Sequence, residues 1–178
     1  MHDDEPREVV TAELASRRKF LRISCTTLSG SLVAGIAPGV TAAAAQALQG
    51  DAYPTMDIAA LDAIKEDVPI AFNYPDATSP AVLLRLRQPA AGGIGPNNTI
   101  VAYSILCTHK GCPVAYRPER KLLICPCHWS SFDPSKSGQM VIGQGSQALP
   151  QIALRLNGKT VQATGITGLI YGRETNIL

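Results

Sequence analysis

Charge and aromatic side chains are both scarce in this chain. Of its 178 residues, 17% are Asp, Glu, Lys or Arg and 5% are Phe, Trp or Tyr, and the formal net charge is only +2. No long basic stripe is present, and one Trp, three Phe and five Tyr leave few ring faces for bases to stack on, which excludes a nucleic-acid footprint. No internal repeat recurs. Histidine is rarer still, with three in the chain, and two of these, His109 and His128, fall within one short stretch. Glycine and proline are frequent, at 15 and 13, which suits a turn-rich β domain.

The first 47 residues read as an address rather than as fold. A polar, acidic start leads to Ser16-Arg17-Arg18-Lys19-Phe20-Leu21-Arg22, which matches the twin-arginine export pattern. Ile23 to Val40 is apolar but softened by Ser24, Thr26, Thr27, Ser29, Gly30, Ser31, Gly35 and Pro38. Thr41 to Ala47 then offers several Ala-x-Ala cleavage sites. A retained membrane anchor is the other reading, but 18 Ser/Thr-rich residues interrupted by Pro38 make a weak span. Cys25 follows Arg22 where a lipobox wants an apolar residue, so it belongs to the signal. Residues 1–47 are expected to be a twin-arginine signal that sends a folded, cofactor-loaded protein to the periplasm, an oxidising compartment that permits disulfides.

The body, residues 48–178, reads as strands. Short apolar runs recur between turn signals at Val68–Tyr74, Ala81–Leu86, Ile100–Leu106, Leu122–Cys125, Ile152–Leu156, Thr160–Ala163 and Leu169–Tyr171. Asn157-Gly158 between two such runs predicts a hairpin. A short helix is expected at Ala59–Lys65. The Gly- and Pro-rich stretch from Pro89 to Asn98 reads as a loop, since no helix pattern follows it to cradle a phosphate. Roughly 130 residues are enough for one domain with its own core. The segment of about 105–147 is expected as an insertion between the strands at Ile100 and Ile152.

That insertion carries the chemistry. Cys107-Thr108-His109-Lys110-Gly111-Cys112 and Cys125-Pro126-Cys127-His128 hold four of the five cysteines. One Cys-x-His pair and one Cys-x-x-His pair supply two thiolates and two imidazoles, the set a Rieske 2Fe–2S centre needs. A Cys2His2 zinc site is the first alternative, but such sites use Cys-x(2–4)-Cys and His-x(3–5)-His pairs. Two plain disulfides with bystander histidines are the second, and they leave unexplained why both histidines of the body fall here.

The two boxes resemble the C-T-H-x-G-C and C-P-C-H-x-S boxes of the Rieske family. The resemblance implies an all-β fold, a Rieske-type antiparallel β-sandwich or barrel with an inserted cluster-binding subdomain. It implies one 2Fe–2S cluster with Cys107, His109, Cys125 and His128 as ligands, and a disulfide between Cys112 and Cys127. Ser130 falls where high-potential members donate a hydrogen bond to a cluster sulfur. Phe132 falls where they often carry Tyr, so a potential below theirs is expected. Trp129 stands where members of quinol:cytochrome c oxidoreductases usually have glycine.

Outside the boxes, Phe72 to Asp76, Gly92 to Asn98, Ile100 to Ser104, Gly138 to Met140 and Gly168 to Arg173 are similar to the small subunits of arsenite oxidases. That likeness implies a large molybdopterin catalytic subunit with a 3Fe–4S cluster as partner. It also implies a periplasmic cytochrome c or cupredoxin as electron acceptor, with no substrate chemistry on this chain itself. A Rieske subunit of a membrane quinol:cytochrome c oxidoreductase is the alternative. Lys110, Arg117, Arg120 and Lys121 read as an ordinary solvated loop, with steering of an acidic carrier as the other reading.

Overall fold

A computed structural model describes residues 53–177; the expected signal segment lies outside the described residues. Ten strands follow in order: β1 (Met56–Ala60), β2 (Ile70–Asn73), β3 (Pro80–Arg85), β4 (Ile100–Ser104), β5 (Ala115–Arg117), β6 (Leu122–Ile124), β7 (Ser131–Asp133), β8 (Gln139–Ile142), β9 (Gln151–Asn157) and β10 (Thr160–Thr167). They form a six-stranded sheet in the order β1-β10-β9-β4-β3-β2 and a four-stranded sheet in the order β5-β6-β7-β8. Every strand pairing is antiparallel. The small sheet is inserted whole between β4 and β9.

The central strands are buried on both faces, which is why they read as unbroken apolar runs rather than alternating ones. In β3, Val82 and Leu84 face one core while Ala81 and Leu83 face another, and in β4 Val101 and Tyr103 oppose Ile100 and Ala102 in the same way. The first core continues into the small sheet through Tyr116, Leu123 and Phe132, and it includes Cys107 and Cys125. The second closes the large sheet on itself with Ile152, Val161 and Ala163. The cysteines are thus fixed by the same packing that holds the sheets together.

Buried phenols are satisfied at the seams. Tyr103 donates to the Pro134 carbonyl at 2.8 Å, and Tyr116 donates to Asp67 Oδ1 at 2.9 Å. Burial pushes both phenols up, so they stay protonated donors. The hydrogen bond from Arg87 holds the Asp67 carboxyl below its usual range.

Three local expectations are corrected. The stretch expected as a helix at Ala59–Lys65 ends β1 and continues as a single 3-10 turn over Leu61–Ala63. Pairing with β10 overrides its helical spacing. Leu169–Tyr171 is not a strand; its chain turns and lies over the Cys107 loop. The β9–β10 hairpin pairs Asn157 with Thr160, so its two turn residues are Gly158 and Lys159.

Candidate metal centre

The small sheet presents two loops with one backbone design. In the first, Gly111 N donates to Cys107 O at 2.8 Å and Cys107 N to Cys112 O at 3.0 Å. In the second, Trp129 N donates to Cys125 O at 3.1 Å and Cys125 N to Ser130 O at 2.8 Å. Each loop closes over the same five-residue step, and in each the fourth residue after the first cysteine takes a left-handed φ, +73° at Gly111 and +62° at Trp129. Glycine adopts that conformation freely; a bulky side chain is strained by it.

The disulfide joins Cys112 to Cys127 across the loops, 15 residues apart. Cys107 and Cys125 remain free and are both buried, at 1% exposure each. Burial pushes the Cys107 thiol up, so its thiolate needs a positive partner here. The sulfurs of Cys112, Cys125 and Cys127 lie within 4.8 Å of one another. Two of them are spent on the disulfide, so they are not a ligand trio. His109 and His128 converge edge to face with ring centroids 4.7 Å apart. His109 is half-buried and His128 exposed. The Nδ1 atom of His109 is buried with no hydrogen-bond partner, a costly state for a ring nitrogen and the natural one for a metal ligand.

Two free buried thiols and two converging imidazoles, one with an orphaned nitrogen, fit a 2Fe–2S cluster with sulfur donors inward and nitrogen donors outward. Cys107 and Cys125 would hold the inner iron, His109 and His128 the outer one.

A covering segment, residues 143–147, closes over this set. Thr108 Oγ1 donates to Gln147 O at 2.8 Å, and Ser146 Oγ donates back to Thr108 O at 2.9 Å. Gln144 N donates to Ser130 Oγ at 3.1 Å, which leaves the Ser130 proton free to point at the site. The approach is so close that a Cβ at Gly143 would stand 2.4 Å from Ser130 Cα. One at Gly145 would stand 2.7 Å from Thr108 Oγ1 and 3.2 Å from Phe132 Cζ. Ser130 and Phe132 are both fully buried beneath the segment. Sequence spacing shows these glycines but not what they approach. The Thr108 latch and the ring of Tyr171 over Gly111 were equally illegible, since their partners lie far along the chain.

The Rieske [2Fe-2S] domain family matches residues 56–153. Over 99% of its length the chain is 35% identical to the iodate reductase subunit IdrB of Denitromonas iodatirespirans, covering 94% of that protein. Over 90% it is 39% identical to the subunit of the same name from Pseudomonas sp. strain SCT, covering 83% of it. The soluble domain of Rieske protein II from Sulfolobus acidocaldarius shares the fold, with a TM-score of 0.61 at 21% identity over 68% of this chain and 82% of that one. With its ligand loops, covering segment and inserted four-stranded sheet, the chain belongs to the Rieske [2Fe–2S] family.

Proposed function

We propose that this chain is the electron-transfer subunit of an exported oxidoreductase complex whose molybdopterin-bearing catalytic subunit acts on an oxyanion. The observation that carries the reading is the one-sidedness of the site. The thiol donors are buried while His128 faces solvent. Such a site exposes one iron edge to a partner and keeps the other in the core. The cluster supplies one-electron chemistry when bound. The residues of the chain supply the rest: Thr108, Ser146 and Gln144 hold the cover shut against water, and Ser130, whose Oγ accepts from Gln144 N, keeps its own proton free to donate.

Arsenite is the first candidate substrate of the partner, by the likeness of the flanking segments to arsenite oxidase small subunits. Iodate is the second, by the full-length similarity to two iodate reductase subunits. The two differ in the direction of electron flow. In the complex purified from its native host, arsenite should bleach the oxidised centre and produce the EPR signal of the reduced one. Iodate should instead restore colour to a reduced centre. If quinol alone reduces it and neither oxyanion acts, the molybdopterin partnership is wrong.

The twin-arginine pattern supports a periplasmic location, and the Cys112–Cys127 disulfide is consistent with an oxidising compartment. Replacing Arg17 and Arg18 by Lys should leave the protein in the cytoplasm on fractionation. Unaltered export would remove that proposal. A small cytochrome c or a cupredoxin is the proposed soluble partner.

A further inference from the structure

The two ligand loops share a backbone, but they fill its strained position differently. Loop one places Gly111 at φ +73° with the ring of Tyr171 packed over it. Loop two places Trp129 at φ +62° and leaves the residue 71% exposed. Trp129 thus carries backbone strain without repaying it through burial in this fold. Strain of that kind persists only where the surrounding structure enforces it, and it clusters at functional sites.

The surroundings say which function. Val141 and Ile142 on the adjoining strand are 60% and 67% exposed. One concavity beside the indole is lined by His128, Arg120 and Ile142, and the one on its other flank by Arg117, Glu119, Arg120 and Pro126, two positive groups to one negative. Arg117 and Arg120 are exposed and form no ion pair among the described residues. Residues 105–147 hold Lys110, Arg117, Arg120, Lys121 and Lys136 against Glu119 and Asp133, five positive to two negative, or +3. Asp133 is already engaged by Ser135 and Lys136.

We propose that Trp129, with Ile142 and the Arg117 and Arg120 guanidinium groups, forms the contact patch on which a small acidic electron-transfer protein docks transiently over the His128 edge. The inference rests on the reading of this chain as an electron-transfer subunit. Charge selects an acidic partner. Size selects a transient one: three exposed apolar side chains offer on the order of a few hundred Å², short of the ~800 Å² per partner of a stable interface. A central Trp flanked by Arg is the composition that carries binding energy in such contacts.

The test uses the full chain with its cluster loaded and reduced. It is mixed in stopped flow with an acidic c-type cytochrome, and with a basic one as control, at low and high salt. Wild type should react faster with the acidic probe and slow as salt rises. Arg117→Glu with Arg120→Glu should lose about tenfold at low salt and lose the salt dependence. Trp129→Gly should lose about tenfold at every salt concentration. Voltammetric midpoints of the variants should match wild type. Because Trp129 is the chain's one tryptophan, its emission should also change on docking.

Unchanged variant rates, a preference for the basic probe, or rate losses that merely follow midpoint shifts would each overturn the patch. So would indole emission that is already shielded in the purified complex, since the catalytic subunit would then own this surface. Reversible voltammetry with no transfer to either probe would instead overturn the electron-transfer reading itself.

Discussion

The loop from Cys107 to Cys112 and the loop from Cys125 to Ser130 share the same hydrogen bonds, and the covering segment touches both, but they differ in how much of each is left exposed. The first is held from outside: Thr108 is latched to the covering segment and Tyr171 packs on Gly111. In the second, Pro126, Cys127, His128 and Trp129 are all exposed. One loop anchors the centre and the other presents it. A site that must hold a cluster and still hand over electrons needs both, and a single backbone turn serves each purpose according to what covers it.

The largest break in that comparison comes from cutting the bond between the loops. Without the disulfide, the presented loop loses its covalent tie to the anchored one. Replacing Cys112 and Cys127 together by Ser should cost about 3 kcal/mol in the chain-entropy account of a 15-residue closure. The loss should be local. Cluster absorbance should disappear on heating well before the far-ultraviolet signal of the six-stranded sheet. Coincident transitions would show that the two sheets unfold as one.

The second break concerns the strength of the centre rather than its frame. Phe132 is fully buried, with its Cζ 3.2 Å from where a Cβ on Gly145 would stand. Phe132→Tyr adds a donor there. A hydrogen bond to a charged acceptor is worth about 1.5–3 kcal/mol, which for one electron is on the order of 100 mV. The midpoint should rise toward that limit, and Ser130→Ala should lower it. An unchanged midpoint in Phe132→Tyr would mean that the hydroxyl bonds to the covering segment and not to the cluster.

These contrasts were unevenly visible in the sequence. The strands β3, β4, β9 and β10 were legible because burial on both faces, or a hairpin turn between two runs, writes itself into local composition. The donor set was legible because cysteine and histidine are rare and clustered. β7 and β8 were not: Ser131–Asp133 and Gln139–Ile142 are short and mixed, and they become strands through pairing with β6 and with each other. Gly143 and Gly145 fall where Rieske proteins carry a loop that shields the cluster, but their role stayed open in the sequence, because what a glycine approaches is a tertiary fact. The shared turn of the two loops was hidden because Trp129 stands where the parallel with Gly111 calls for glycine.

The third break reverses the two turn residues. Gly111→Ala puts a Cβ at a left-handed φ, 2.7 Å from the Tyr171 ring, and should cost about 1–2 kcal/mol. Trp129→Gly relieves the same strain and should return about 1 kcal/mol, partly offset by the entropy of a glycine in the unfolded chain. Urea titration of the two variants should therefore shift midpoints in opposite directions. A loss in both would show that the indole packs on the loop after all.

The smallest effect reaches loop one through its outer brace. The tail bearing Tyr171 is pinned by Arg173, whose guanidinium donates to both Asp76 carboxylate oxygens at 2.7 and 3.0 Å. That contact, with Thr78 adding further hydrogen bonds, holds the Asp76 carboxyl well below the usual carboxylate range. A folded pKa below the unfolded one means that the native state favours the charged form. The contribution is complete above the unfolded value of about 3.9, and it is lost as pH falls through that value toward the folded one. With Asp76 about a third exposed, solvent screening limits it to about 1 kcal/mol. Asp76→Asn should therefore lose about that much at neutral pH and nothing in strong acid, flattening the acid limb of stability. If the brace matters to the anchored loop, proteolysis near Tyr171 should quicken in the variant at neutral pH and match wild type in acid. Equal rates at neutral pH would leave Tyr171 held by its own packing on Gly111.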